Sequence, residues 1–168
     1  MEIKNDDKSS FEESVLDSGF TVLRMKNDLQ LAVKENYPVN QDFIQFHFCL
    51  KGQMNFVFNE GNYSFPVNED HSMLLFNPLK PLPIEVELAP NTWLVSVLIS
   101  IAKFHSLFSS DADHISFLTP ENSTKKYYDN LPFTSSIAVV LSQILQAKVH
   151  DSMKSLYFKG KVYELLSL

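Results

Sequence analysis

Between residues 20 and 101, short runs of apolar residues alternate with polar positions or are separated by turn residues. Residues 84–88 (IEVEL) show this most clearly and predict a strand with one buried face and one solvated face, which carries Glu85 and Glu87. Further strands are predicted at residues 20–26, 29–34, 43–50, 54–58, 63–67, 72–76 and 93–101, with turns at 27–28 and 59–62. About eight short strands at this spacing predict an all-β barrel or sandwich.

Beyond residue 101 the spacing of apolar residues changes to three or four, which indicates helices. Short helical segments are predicted at residues 103–108 and 121–130. Thr134 is a suitable N-cap for a helix over residues 135–148, and Asp151 or Ser152 can cap a last helix that runs to Leu168. Because that helix has no glycine, proline or cap at its end, we expect the chain to be part of a longer protein.

The first nineteen residues are polar, acidic and weakly patterned, and are expected to form a mobile arm. The predicted organisation is therefore an N-terminal arm (1–19), a β-barrel (20–102) and a C-terminal helical subdomain (103–168). A length of 168 residues fits one ordinary domain.

Charge and cysteine content restrict the partners and the compartment. The 14 basic and 20 acidic side chains give a net charge of −6, and a surface of that sign repels phosphate backbones, so the chain by itself is not expected to bind nucleic acid. The single cysteine, Cys49, excludes an intramolecular disulfide and indicates a reducing compartment. The sequence lacks a membrane-spanning apolar run and the order of a signal peptide. We therefore expect a soluble, cytoplasmic protein with no membrane partner.

The sequence provides no set of residues for catalysis, and no cofactor is expected. Cys49 lies in the middle of an apolar strand, which favours a buried structural thiol over a nucleophile. No serine has a G-x-S-x-G context, and the four glycines are too scattered for a phosphate loop. The five histidines show no metal-ligand spacing, so no metal site is expected.

Aromatic residues are abundant, with fourteen Phe, six Tyr and one Trp. Most of them must form core, since a small barrel fills itself with side chains. Residues 43–50 are apolar on both faces of the strand, yet Gln45 and His47 share one face, a composition that is typical of an apolar pocket with a few polar groups. Simple core packing is the alternative interpretation. The predicted ligand-binding residues are Gln45, His47, Phe56, Phe58, Phe76 and Trp93.

The run at 43–52 (FIQFHFCLKG), followed by FVF at 56–58, YSF at 63–65 and MLLFNP at 73–78, resembles the cupin layout, and more particularly the regulatory domain of AraC-type transcription regulators. Residues 93–101 (WLVSVLISI), 104–108 (FHSLF) and 157–168 (YFKGKVYELLSL) extend the resemblance. It implies a mainly β fold with C-terminal helices: a cupin-like β-barrel (jelly roll) followed by an antiparallel helix pair. The metal positions of metal-binding cupins are vacant here, because Gln45 replaces the glutamate and the H-x-H motif is missing.

The resemblance implies an effector-sensing and dimerisation domain of an AraC-like transcription regulator. An unidentified small molecule would bind in the barrel and bias the pairing of C-terminal helices in a homodimer, and DNA would be contacted only by a C-terminal domain outside this chain. The alternatives are a stand-alone cupin-type enzyme, an isomerase or dioxygenase, and a dimerisation module without a ligand. The candidate dimer interface, on the apolar stripes of the two last helices, consists of Ile137, Leu141, Ile144, Leu156 and Tyr163.

Overall fold

A computed structural model describes residues 9–58, 63–107 and 127–167, which form two antiparallel β-sheets and three α-helices. The strands are β1 (Ser9–Asp17), β2 (Phe20–Asn27), β3 (Val33–Tyr37), β4 (Phe43–Lys51), β5 (Gln53–Phe58), β6 (Tyr63–Asn68), β7 (His71–Phe76), β8 (Ile84–Leu88), β9 (Thr92–Ser100) and β10 (Tyr127–Pro132). The helices are α1 (Ile101–Leu107), α2 (Ser135–Leu145) and α3 (Lys154–Leu166), and a 3₁₀ turn at Asp151–Met153 precedes α3.

The two sheets pack face to face around one apolar layer, which we call the inter-sheet core. The larger sheet has the strand order β1-β2-β9-β4-β7-β10, and the smaller has the order β3-β8-β5-β6. In β8 every second side chain is buried and both glutamates are exposed, which confirms the predicted alternation. The inter-sheet core includes Leu23, Met25, Met54, Phe56, Val86, Leu88, Leu94 and Leu98.

The opposite face of the larger sheet carries a second apolar layer, the helix-side core. Strand residues such as Val22 and Ile44 join Leu141 of α2 and Phe158 of α3 in one buried cluster. The hydroxyl of Thr134 accepts a hydrogen bond from the Ile137 N–H at 3.5 Å, so the predicted N-cap of α2 is confirmed. Because the larger sheet is covered on both faces, β4 is apolar on both sides of its pleat.

The larger sheet contains two strands that the sequence pattern did not predict. Ser9–Asp17, expected to be part of a mobile arm, pairs with β2 along its length and buries Leu16. Tyr127–Pro132 pairs with β7, although a helix was expected over residues 121–130. In both cases pairing with a neighbouring strand outweighs the weak local pattern. Residues 1–8 of the expected arm, residues 121–126 and the predicted turn at 59–62 lie outside the described residues.

Two local predictions are wrong. The strand after β2 is Val33–Tyr37 rather than 29–34, and it pairs with β8 in the smaller sheet instead of forming a hairpin with β2. The amide of Asn27 donates to the carbonyls of Leu31, Leu88 and Ala89, which holds the crossing segment between the sheets. The turn before α3 is capped by neither predicted residue, because a ring nitrogen of His150 accepts the Ser152 N–H at 3.3 Å.

The predicted architecture is confirmed: the chain is mainly β, a two-sheet sandwich, and its C-terminal helices pack together. Lys161 of α3 donates to the side-chain oxygen of Gln143 on α2 at 2.7 Å, and the Tyr157 hydroxyl donates to the Gln143 carbonyl at 3.4 Å. In the part of the chain that the structure describes, no helix has both the length and the apolar character needed to span a membrane.

Candidate functional site

Three polar side chains form a cluster inside the inter-sheet core. Gln45 and His47 are two positions apart on β4 and share its inward face, and Ser96 is the partner of His47 on β9. At most 1% of each residue's surface is exposed. The imidazole Nε2 is 2.9 Å from Gln45 Oε1, and Nδ1 is 2.6 Å from Ser96 Oγ. The predicted inward orientation of Gln45 and His47 is therefore confirmed.

The protonation of this cluster follows from its burial. Burial lowers the pKa of His47 from 6.5 to about 3, so the ring is neutral. Because Gln45 Oε1 can only accept, the ring proton lies on Nε2, and Nδ1 accepts from the Ser96 hydroxyl. Gln45 Nε2 donates to the Leu82 carbonyl at 2.7 Å, and the Phe56 ring packs 4.4 Å from the imidazole. These groups satisfy one another, which suits a structural role.

The four aromatic residues predicted to line the pocket divide into two pairs. Phe56 contacts His47, and Phe58 stacks on Phe56 with ring centres 6.4 Å apart. Phe76 and Trp93 do not face the interior, which corrects the prediction for both. Their strands direct the alternate residues inward, such as Leu75 of β7, so these two side chains lie on the helix side of the sheet.

Trp93 lies half-buried near the start of β9. Its indole N–H donates to Asp28 Oδ1 at 2.8 Å, and the ammonium groups of Lys26 and Lys51 lie 4.5 and 5.0 Å from its ring. These contacts are on the helix side of the larger sheet, so Trp93 does not line the barrel interior.

A cavity of about 620 Å³ lies on the helix side of the larger sheet, and we call it the helix-side cavity. Its floor is the β1–β2 strand pair, which contributes Glu12, Arg24 and Lys26. Its wall runs from Leu145, at the end of α2, to Val149, and includes Lys154 and Phe158 of α3. This volume falls within the usual range for small-molecule sites. A smaller cavity of about 200 Å³ lies beside Phe58 of β5, Glu85 of β8 and the segment that contains Leu82.

Arg24 connects the elements around the helix-side cavity. It pairs with Glu12, its direct cross-strand neighbour, and only 7% of its surface is exposed. One terminal nitrogen donates to the Ile144 carbonyl at 3.5 Å, and the guanidinium carbon lies 4.6 Å from the centre of the Phe158 ring. A molecule that changes the position of Arg24 therefore acts on β1, α2 and α3 together.

Sequence reasoning did not single out the residues of this cavity, because they come from distant parts of the chain. Arg24 and Ile144, for example, are 120 positions apart. One signal was present: Arg24 is the only arginine of the chain and stands in an otherwise apolar strand, FTVLRMK. A buried arginine needs a partner, so its position could have indicated a paired charge.

The candidate dimer residues are in different environments. Leu141 and Ile144 are fully buried in the helix-side core, which corrects the prediction that they lie at an interface, and Ile137 is partly buried against the same core. α2 directs its apolar stripe at the sheet of its own chain. Leu156 and Tyr163 on α3 are exposed, at 66% and 39% of their surfaces.

Among the described residues, neither the cysteine nor a cluster of metal ligands indicates a catalytic site. Cys49 is buried, and burial raises the pKa of its thiol to about 12, so it stays protonated. No group of three or more His, Cys, Asp or Glu side chains is placed to hold a metal ion in the described part of the chain.

Comparisons with known proteins give one family and several distant structures. Residues 9–168 match the family model of the N-terminal domain of the regulatory protein PchR. The structure of ToxT from Vibrio cholerae has a TM-score of 0.44 at 13% identity, covering 90% of this chain and 55% of that chain. ToxT bound to (E)-4-(8-methylnaphthalen-1-yl)but-3-enoic acid has a TM-score of 0.43 at 16% identity, with coverages of 89% and 57%.

An RmlC-like cupin protein from Desulfovibrio desulfuricans has a TM-score of 0.40 at 14% identity, covering 56% of this chain and 85% of that chain. The chain spans little more than half the length of the ToxT chains that it matches. No curated protein matches the sequence at a significant level.

Proposed function

The chain belongs to the family of N-terminal domains of the AraC-family regulator PchR, and from this premise we propose that it senses a small-molecule effector. It is a regulatory domain and not an enzyme, and the resemblance to AraC-type regulatory domains is confirmed. The observation that carries the proposal is the helix-side cavity, which is large enough for a small molecule and is bounded by both C-terminal helices.

The effector site proposed here differs from the site expected inside the barrel. Gln45, His47 and Ser96 satisfy one another's hydrogen bonds in the inter-sheet core, whereas the helix-side cavity is open space. A ligand there contacts the end of α2 and the first turns of α3 at once. A ligand bound in the cavity then favours one position of α3, and this change of position transmits the binding event.

We further propose that α3 pairs with α3 of a second copy. Its outward face, including the turn before it, carries Met153, Leu156, Gly160 and Tyr163, spaced three, four and three residues apart. Met153 and Leu156 are 51% and 66% exposed, and a Cβ added at Gly160 would have no neighbour within 4 Å. Apolar residues at this spacing on an exposed helix suit a helix–helix contact.

DNA binding by the whole protein is proposed to belong to residues outside this chain. The net charge is −6 and the single arginine is engaged with Glu12 inside the fold. Because this chain is proposed to act through a DNA-binding domain, we also propose that it is cytoplasmic.

The effector proposal is tested with the isotope-labelled chain and a fragment set that contains cationic, neutral and anionic molecules. We expect at least one fragment to shift the amide resonances of residues 145–149 and of α3. Ala147→Phe, which places a ring in the helix-side cavity, should abolish these shifts. Ala102→Phe, the same change on the exposed side of α1, should not. If no fragment perturbs these resonances, the proposal is wrong and a dimerisation module without a ligand is favoured.

A further inference from the structure

The helix-side cavity is basic in a chain that is acidic as a whole. Arg24, Lys26, Lys148 and Lys154 line it, and Glu12 is the one carboxylate among its lining residues. The net charge of the chain is −6, so the lining of this cavity is more positive than the chain as a whole. A concave site lined by one sign of charge raises the local concentration of ligands of the opposite sign.

Arg24 is held in place for charge recognition. Its guanidinium rests on the Phe158 ring, and its side chain is 9% exposed. Its Nε is buried and is the one buried side-chain nitrogen or oxygen without a hydrogen-bond partner within the described ranges. A guanidinium with a free N–H in a fixed orientation matches the planar oxygens of a carboxylate or phosphate.

Glu12 occupies the position that such an anion would take. It lies opposite Arg24 on β1, and its side chain remains 53% exposed to solvent. A half-exposed carboxylate can turn into water, and an incoming anion would keep the buried guanidinium paired. Glu12 is therefore a displaceable partner of Arg24.

Part of the remaining lining is apolar, beside the polar residues Ser10 and Gln146. Leu145, Ala147, Val149 and Phe158 face the same cavity, and Leu145 and Phe158 belong to the helix-side core. An inorganic anion would leave this surface in contact with water, whereas an organic anion would cover it.

We propose that the helix-side cavity binds an organic anion with an apolar body, and that its anionic group replaces the Glu12 carboxylate on Arg24. This inference rests on the proposed effector function and specifies the chemical class of the effector. The exchange frees Glu12 and seats the apolar body between β2 and α3, so that the occupied and the empty domain differ at the edge of β1 and at the start of α3.

The test uses three probes that share one hydrocarbon: 4-phenylbutyrate, the neutral 4-phenylbutanamide and the cationic 4-phenylbutylamine. Amide resonances of residues 145–149 report binding in the helix-side cavity. The acid should bind at least about tenfold more tightly than the amide, because a charge-assisted hydrogen bond is worth that factor or more. Acetate, which has the carboxylate without the apolar body, should bind at least about tenfold more weakly than the acid.

Variants separate the roles of the charged groups. Glu12→Gln should tighten binding of the acid severalfold, because the internal competitor is removed, and Arg24→Gln should abolish the preference for the acid over the amide. Lys34→Gln, on the exposed face of β3, makes the same charge change away from the cavity and should leave binding unchanged. If Arg24→Gln does not fold, Lys148→Gln combined with Lys154→Gln should weaken the acid severalfold.

The inference is wrong if the amide binds as tightly as the acid, or if Glu12→Gln weakens the acid. Both results leave the effector proposal intact, since a ligand still occupies the cavity. If none of the three probes shifts these resonances while other fragments do, the chemical class is wrong and the effector function stands.

Discussion

His47 makes the stability of the folded chain sensitive to acid. Its pKa falls from 6.5 to about 3 because the imidazole is buried between the sheets. Between these values the unfolded chain binds a proton that the folded chain does not, so folding stability is lost as the pH falls from about 6.5 towards 3. Well above pH 6.5 both states are neutral at this site and its contribution is constant.

We expect His47→Gln to remove this dependence. The free energy of unfolding of the wild-type chain should decrease by about 2 kcal/mol from this group between pH 7 and pH 5, and the variant should lack that part of the decrease. Urea titrations at a series of pH values measure it. Equal slopes for wild type and His47→Gln would contradict the argument.

The sequence predicted the shared inward face of Gln45 and His47, for a reason visible at single residues. Gln45 and His47 are two positions apart on one strand, so their shared face follows from strand geometry alone. Phe76 and Trp93 were misplaced because the phase of each strand relative to its neighbours is set by pairing, which no single strand reveals. The Glu12–Arg24 pair depends on β1, which was not predicted to be a strand.

The start of α2 depends on one side chain. The Thr134 hydroxyl accepts the N–H of Ile137, a group that has no partner within the helix. Thr134→Ala should lower the free energy of unfolding by about 1 kcal/mol, and Thr134→Ser should restore most of it. Chemical denaturation of the three proteins measures the difference. Equal stabilities of Thr134→Ala and wild type would show that the cap is replaced by solvent.

The middle of α3 contains a glycine that the monomer does not require. Gly160 lies in helical backbone, and a Cβ added there would meet no atom within 4 Å. Gly160→Ala should raise the stability of the monomer by about 0.4–1 kcal/mol, because the unfolded chain loses conformational freedom. Thermal unfolding at low protein concentration measures this effect.

Gly52 provides the contrasting control for that experiment. Its φ of +82° favours glycine, and an added Cβ would lie 2.3 Å from the Thr92 hydroxyl oxygen. Gly52→Ala should therefore destabilise the fold. A loss of stability for Gly160→Ala as well would contradict the view that Gly160 is free of steric constraint in the monomer.

Elements with strong internal patterns were predicted closely, and those that depend on partners were not. β8 has the predicted bounds because its alternation is strict, and β4 differs by one residue. β1 carries polar residues on both sides and becomes a strand only through its pairing with β2. β3 joins the smaller sheet because Asn27 ties the crossing segment to β8, a contact across 61 positions of chain.

At the scale of the whole molecule, the helices and the larger sheet share one core. Leu141, Ile144, Phe158 and Val162 are buried in the same cluster as the outer face of the larger sheet. Removing α2 and α3 would expose that face, so we expect the barrel alone to aggregate rather than fold. The division at residue 102 therefore marks a change of secondary structure between parts that depend on each other.

The last prediction concerns the outward face of α3, which is exposed in one chain and is the proposed contact with a second copy. We expect sedimentation equilibrium at tens of micromolar protein to show a reversible dimer. Leu156→Glu should convert it to a monomer with unchanged folding, because Leu156 is 66% exposed in one chain and a charge there is harmful only in an interface. Leu79→Glu makes the same change at a residue 67% exposed in the segment between β7 and β8, and should leave the dimer intact. Gly160→Leu should also weaken the dimer, since the helices would lose their close approach. A wild-type chain that sediments as a monomer, or a dimer unaffected by Leu156→Glu, would show that α3 does not pair in this way.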